Sequence, residues 1–375
     1  MKYVILAHGL RAAGGKSVGL NIISALRTVR PDHEYLVVVP EDADYRGLHY
    51  PEHCTVVRYG HGSVFTRLVF DLFKLPRVVR DFGADVVFGL GNMGIRNPHA
   101  KQAVLIHKPQ LVYPASQRSN EVLRRRMINL LIRWQVAFAL QSTQVMFFQT
   151  PVMMARFKRT FGYNGRSEMM PNAVSFEVAE SPVIHQPETL QHIKTPIKLF
   201  VLTRYYAHKN LELIVECFDR FRGELQNFCC ILTINRDQHP LAGKLLDDIR
   251  DKDLEDQVVN VGPISQQELG DYYTASEALL LPTLLESFTG TYLEAMKFDC
   301  PVITSDLDFA RDICSDAAVY FDPRDAAALK DALLRFRAEP WLKEAMDEKG
   351  RAVITQYHRD RTQIADTDFR LLDRC

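Results

Sequence analysis

Short apolar runs alternate with longer amphipathic stretches along this chain, and that alternation limits the possible folds more than any other feature. Tyr3–Ala7 is followed by a glycine-bearing loop and then a helix-period stretch, Ser17–Arg27. Tyr35–Val39, Cys54–Arg58, Val86–Gly89, Ala103–Ile106 and Val145–Gln149 are further strand candidates, mostly separated by helical patterns. Pro171–Pro187 breaks the series with three prolines and no apolar periodicity, so it reads as a linker. A second series then begins. Ile197–Leu202, Phe228–Ile234, Val258–Val261, Ala278–Pro282, Pro301–Thr304 and Ala318–Phe321 read as strands, with helices at Leu211–Phe221, Ala242–Asp251 and Phe288–Phe298. Ser265 and Glu268 have capping-box spacing ahead of Leu269, Tyr272 and Tyr273. After Asp322-Pro323 only helical patterns remain. Strands alternating with helices predict parallel sheets covered on both faces. The pattern therefore implies two doubly wound α/β units joined by one linker, with a cleft between them as the expected site.

Composition narrows the function classes. A length of 375 residues suits two or three domains, and 47% hydrophobic with 25% charged residues is ordinary for a globular protein with real cores. Forty-six Lys plus Arg against 46 Asp plus Glu leave a formal charge of zero, which counts against bulk nucleic-acid binding. Seven scattered cysteines contain no CxxC pair, so neither a zinc ribbon nor a disulfide framework is indicated, and a reducing cytoplasm is expected. The apolar run before His8 and Gly9 is too short for a signal peptide and reads as a first buried strand. No run of about 18 apolar residues is present, so no membrane span is expected.

Two loops carry candidate chemistry. Gly14-Gly15-Lys16-Ser17 looks at first like a P-loop, but Leu10 stands where that motif needs its first glycine. A strand, two glycines and a helix start can still offer free amides to a phosphate or a sugar hydroxyl, or can form only a tight turn. The second loop is Leu281–Met296. It places Glu286 beyond a buried strand and Glu294 about two turns into the next helix, with Thr289-Gly290-Thr291 between them. A carboxylate, an anion nest and a second carboxylate match the layout of a nucleotide sugar, although two solvated helix-end charges would give the same spacing.

Wider motifs bear on that choice. Glu286-x7-Glu294, with Ala295-Met296 and then Cys300-Pro301-Val302-Ile303-Thr304-Ser305-Asp306, resembles the signature of glycosyltransferase family 4. Pro171-Asn172-Ala173-Val174 resembles that family's interdomain loop, and Arg204 with Lys209-Asn210 resembles its phosphate clamp. Val261-Gly262-Pro263 and Ala317–Pro323 agree in order and spacing. The motifs span residues 171–323, and the likeness over 1–170 is architectural. Thr289 stands where the family commonly has glycine, and Thr203 precedes the clamp arginine, which leaves the preferred donor sugar open.

The resemblance implies the GT-B fold: two Rossmann-like domains facing a central cleft. Residues 1–172 would bind the acceptor, 173–350 the nucleotide sugar, and 351–375 would form a C-terminal helix returning to the first domain. It implies retaining transfer from a nucleotide-diphosphate sugar, with neither metal nor cofactor, to a glycan or lipid-linked acceptor of bacterial surface polysaccharide such as lipopolysaccharide. Arg204 and Lys209 would neutralise the diphosphate, Glu294 would hold the ribose, and Glu286 would orient the donor sugar near its reacting carbon. Gly15, Thr289, Gly290, Thr291 and Asn172 would complete the donor site, and His107, at the end of Ala103–Ile106, would contact the donor sugar. His8 sits in a similar place and is read as structural. Asp306-Leu307-Asp308 has the spacing of a metal-binding DxD but follows a late strand.

Two N-terminal stretches are basic and amphipathic. Arg118–Leu140 carries Arg118, Arg124, Arg125, Arg126 and Arg133 against Glu121, interleaved with Leu123, Met127, Leu130, Leu131, Trp134 and Phe138. Phe65–Phe82 adds Arg67, Lys74, Arg77 and Arg80. Such helices suit the anionic inner face of a cell membrane, or are core helices with a solvated rim. Two rival readings accompany the transferase. One is a nucleotide-sugar-binding subunit whose partner does the chemistry, and the other is a synthase of a small soluble glycoside.

Overall fold

The computed structural model describes residues 1–11, 13–29, 31–60, 64–96, 98–114, 123–171 and 187–357, with 366, 369, 370 and 372, and the backbone alone at 13, 64, 65 and 123–125. Among these residues the apolar runs become two wholly parallel sheets. The first holds β1 (Lys2–Leu6), β2 (Glu34–Pro40), β3 (Cys54–Tyr59), β4 (Val86–Gly89), β5 (Lys101–Ile106), β6 (Val145–Phe148) and β7 (Arg166–Met169), in the order β3-β2-β1-β4-β5-β6-β7. The second holds β8 (Ile197–Val201), β9 (Phe228–Leu232), β10 (Val258–Asn260), β11 (Ala278–Leu281), β12 (Val302–Ser305) and β13 (Ala318–Phe321), in the order β10-β9-β8-β11-β12-β13. Strand order reverses between β1 and β4 and again between β8 and β11. In doubly wound sheets, ligands bind beyond the carboxyl ends of strands at that reversal.

Burial explains why these runs are strands. A parallel sheet is covered on both faces, so its central strands read as continuous apolar runs, and every residue of β9 is buried. Along β1, Tyr3 and Ile5 pack on one face, while Val4 and Leu6 pack on the other with Leu75 and Val79. β7 was not expected. Its Arg-Ser-Glu-Met sequence has no apolar run, because it lies at the edge of its sheet and is only partly buried. The stretch read as one helix at Phe65–Phe82 is instead Val64–Val69, a π-helical turn at Phe70–Lys74, and Leu75–Phe82. Pro76 supplies no N–H to the i−4 carbonyl, which accounts for the widened turn just before it.

The described residues form two compact units, one from 1–113 and 123–171 with the tail residues 366, 369, 370 and 372, the other from 114 and 187–357. Phe369 and Leu372 are buried in the core of the first unit, Phe369 edge-on to Tyr3 at 5.8 Å. The helix Trp341–Tyr357 belongs to the second unit and runs through position 350, where the sequence had suggested a boundary. It lies against the helix Gly290–Lys297, and Gly350 permits this, since a Cβ there would stand 3.1 Å from Met296 Cγ. Glu268 accepts a hydrogen bond from the Ser265 N–H at 2.8 Å, the carboxylate half of the capping box, and the helix opens at Leu269.

Candidate active site

In the second unit the candidate residues gather beyond β8 and β11. After β8 the chain passes Arg204 and a 3-10 turn, Ala207–Lys209, and then enters the helix Leu211–Arg220 through Asn210, whose φ is +57°. Asn210 Nδ2 donates to the Pro282 and Pro323 carbonyls at 3.1 and 2.8 Å, tying this loop to those after β11 and β13. The Leu284 N–H donates to the His208 carbonyl at 2.7 Å. These bonds bring Lys209 to Glu286. Lys209 Nζ donates to Glu286 Oε1 at 2.6 Å, with the two side chains 17% and 13% exposed. Thr283 Oγ1 lies 3.0 Å from the same carboxylate oxygen. Burial pushes the Glu286 carboxyl up, but Lys209, His208 and the two hydrogen bonds outweigh it and hold the pKa below the usual carboxylate range. Glu286 is therefore an anion at neutral pH. The ammonium has three N–H donors, and Glu286 takes one of them.

Glu294 differs. Its carboxyl is pushed up by burial, against the pull of a hydrogen bond from Tyr273 Oη to Oε2 at 3.1 Å. It lies one turn into the helix Gly290–Lys297, where a Cβ on Gly290 would come within 3.7 Å of Oε1. Thr289 is the N-cap of that helix, and its buried Oγ1 has no hydrogen-bond partner among the described residues. An orphan hydroxyl beside unsatisfied N-terminal amides is a donor set for an anion. Thr291 follows, its carbonyl 3.5 Å from Tyr273 Oη. Arg204 is exposed, and no ion pair among the described residues involves it. Asp306 accepts from Arg311 at 2.5 and 2.9 Å, so the DxD spacing is accounted for by a two-pronged ion pair.

In the first unit, His107 leaves the end of β5, and Gly15 faces it: a Cβ on Gly15 would stand 3.3 Å from Nε2. Burial, and in smaller part Lys108, pushes the His107 imidazole down to about 4. His8, at the end of β1, hydrogen-bonds through Nε2 to Asp71 Oδ1 at 2.8 Å and is also pushed down by burial. Asp71 lies in the π-helical turn and pairs with Arg67 at 3.5 Å. Asn172 lies outside the described residues, as do Arg118 and Glu121. Four partners escaped the sequence reading: Asn92, His208, Tyr273 and Thr283. Of these, Asn92 had a local signal, an asparagine between glycines just past a strand.

The two sheets and their connections are the GT-B fold. The chain resembles sucrose-phosphate synthase from Thermosynechococcus elongatus, with a TM-score of 0.76 and 18% identity over 100% of this chain and 98% of that one. It also resembles Anabaena Alr3699/HepE in complex with UDP-glucose, at 0.73 and 14% over 100% of both chains. WaaG, a glycosyltransferase involved in lipopolysaccharide biosynthesis, gives 0.71 and 14% over 99% of both. Residues 184–353 match the family model "Glycosyl transferases group 1". In sequence, the chain is 30% identical over 90 residues to the O-antigen chain mannosyltransferase RfbU of Salmonella typhimurium, covering 24% of this chain and 26% of that protein. It is 26% identical over 108 residues to the alpha-galactosylglucosyldiacylglycerol synthase of Streptococcus pneumoniae, covering 29% and 28%. The matches thus span about a quarter of each of these relatives.

The buried imidazoles set a pH dependence of stability. A histidine held neutral in the fold but free to protonate at about 6.5 when unfolded stabilises fully above that pH. Its contribution is lost as pH falls from about 6.5 to the folded value of about 4. The melting temperature is expected to fall over this window, and His107→Asn to flatten the fall. Parallel curves for the two proteins in differential scanning calorimetry would contradict a buried neutral His107.

Proposed function

We propose that the protein is a retaining glycosyltransferase that moves a sugar from a nucleotide-diphosphate donor to a glycan or lipid-linked acceptor of a bacterial surface polysaccharide. The observation that carries this reading is the convergence of Lys209 and Glu286 beyond β8 and β11, where strand order reverses, within a segment matching a glycosyltransferase family. Arg204 and Lys209 neutralise the diphosphate as the glycosidic bond breaks, which stabilises the leaving group electrostatically. Those cations take the role a divalent metal has in other transferases. Glu286, an anion, faces positive charge developing at the reacting carbon, and Glu294 with Tyr273 holds ribose hydroxyls. A diphosphate oxygen takes the acceptor's proton on the same face as the departing group, so configuration is retained. HepE, which shares the fold, is seen in complex with UDP-glucose, and that supports a nucleotide sugar as the donor here.

The first unit supports a membrane-anchored acceptor and a peripheral position at the inner face of the membrane. The helix Leu123–Leu140 has no acidic residue, and it leaves Met127, Leu130, Leu131 and Trp134 exposed at helical spacing, with Arg126 exposed beside them. Beside it, a groove of about 330 Å³ between this helix and the π-helical turn is lined by Asp71, Phe73, Arg96, Trp134 and Phe138. An apolar stripe with cations and no acids suits an anionic lipid surface. Among the described residues no helix is long and apolar enough to cross a membrane.

Three outcomes test the reading. Lys209→Ala and Arg204→Ala are expected to lower kcat about 10²–10³-fold, whereas Glu294→Ala weakens nucleotide binding by about 1–3 kcal/mol with a smaller effect on turnover. Near-normal turnover in the lysine and arginine variants would remove the clamp. Turnover in EDTA should match that in manganese, and a requirement for added metal would end the metal-free mechanism. Binding to acidic vesicles should fall with salt and be lost in Leu130→Glu/Trp134→Glu, with donor hydrolysis in solution unchanged. Wild-type protein that ignores such vesicles at low salt would favour a soluble acceptor.

A further inference from the structure

Past β4 the chain turns back so sharply that a Cβ on Gly89 would lie 1.9 Å from the Met93 carbonyl oxygen. The turn leaves Asn92 in the left-handed region, φ +61°, with its side chain buried at 6% exposure. Asparagine tolerates that backbone better than most residues, and here the conformation aims its amide at the end of β5. Asn92 Oδ1 accepts two backbone hydrogen bonds, from the His107 N–H at 2.7 Å and the Lys108 N–H at 2.8 Å. An atom that accepts from two amides is the oxygen, so the orientation of the side-chain amide is settled by its partners. The other amide atom, Nδ2, is then a donor, and it lies 3.1 Å from His107 Nε2. Nε2 must receive that bond with a lone pair. The proton of the neutral ring is therefore on Nδ1, which is buried and has no hydrogen-bond partner among the described residues.

We propose that Asn92 is a positioning residue that holds His107 in its Nδ1–H tautomer, as a neutral hydrogen-bond donor to an oxygen of the substrate. The role toward substrate rests on the proposed function, while the tautomer rests on geometry alone. A neutral donor suits this place. An Nδ1 lone pair would repel a ligand oxygen, whereas Nδ1–H donates to it without adding a charge. Of the charged groups around the ring, Lys108 also disfavours protonation. An unsatisfied buried donor is costly, so a pocket that keeps one is arranged for an acceptor that arrives with the ligand.

The test is Asn92→Asp in the full chain. Aspartate keeps an oxygen for both backbone amides and also tolerates a positive φ, but it presents a second acceptor to Nε2. In nitrogen-15 NMR, with the His107 signals assigned by their loss in His107→Gln, the wild-type ring is expected to show an unprotonated Nε2 and a protonated Nδ1. In Asn92→Asp the proton should move to Nε2, and the ring should titrate at higher pH. With an active donor, kcat should fall about 100-fold while the KM for donor changes little, the size expected for losing one aligned donor. Asn92→Gly, which keeps the backbone angle and removes all three side-chain bonds, should give a mixture of tautomers and an intermediate kcat. A wild-type ring protonated on Nε2, or a tautomer unmoved by Asn92→Asp, overturns the proposal. A moved tautomer with unchanged kcat overturns the positioning role. If no nucleotide sugar is turned over, the proposed function fails and the NMR result still decides the tautomer.

Discussion

A parallel strand cannot reach its neighbour through a tight turn. Each strand must release the chain at its carboxyl end and send it back along the sheet, usually through a helix, before the next begins at the other edge. Every strand end on that edge is therefore a loop with backbone and polar groups that the covered faces of the sheet would exclude. The candidate residues obey this rule in both units: His8 beyond β1, Asn92 beyond β4, His107 beyond β5, Arg204 and Lys209 beyond β8, and Glu286 beyond β11. Where strand order reverses, between β1 and β4 and between β8 and β11, the two loops leave toward opposite faces of the sheet, which opens a crevice beyond the strand ends. Fold and site follow from one connection rule.

Within that frame the two units treat their buried titratable groups differently. Glu286 stays ionised in a half-dry loop because Lys209 stands against it, while Glu294, with only a phenolic hydroxyl to help, is pushed toward protonation. The two carboxylates are eight residues apart and have opposite tendencies, set by their surroundings. His8 and His107 are stripped of water and lose their charge instead.

Much of this could be read from the sequence. The alternation of apolar runs and helical periods implies both sheets because a buried parallel strand has to be apolar, and β9 or β11 admits no other reading. Glu286, Glu294, Arg204 and Lys209 stand out through their spacing and motif context. β7 stayed hidden because a polar edge strand gives no apolar run. The contact between Lys209 and Glu286 joins residues 77 apart and depends on Asn210 bridging two other loops, which no local pattern contains. Asn92 was missed for a related reason. Its importance comes from a backbone turned into the left-handed region under the end of a different strand.

The tail has a consequence for how the chain is made. Phe369 and Leu372 fill part of the core built around β1, so the first unit buries together residues that the whole second unit separates in sequence. During synthesis, at about 5–20 residues per second, an amino-terminal domain ordinarily folds before its successor has emerged. Here the earliest strands wait with an incomplete interior while the whole second unit is translated. The second unit, whose described residues are 114 and 187–357, needs nothing from the tail and can close first. The order of folding would then run opposite to the order of translation, with the sheet around β1 left unfinished until Phe369 and Leu372 emerge.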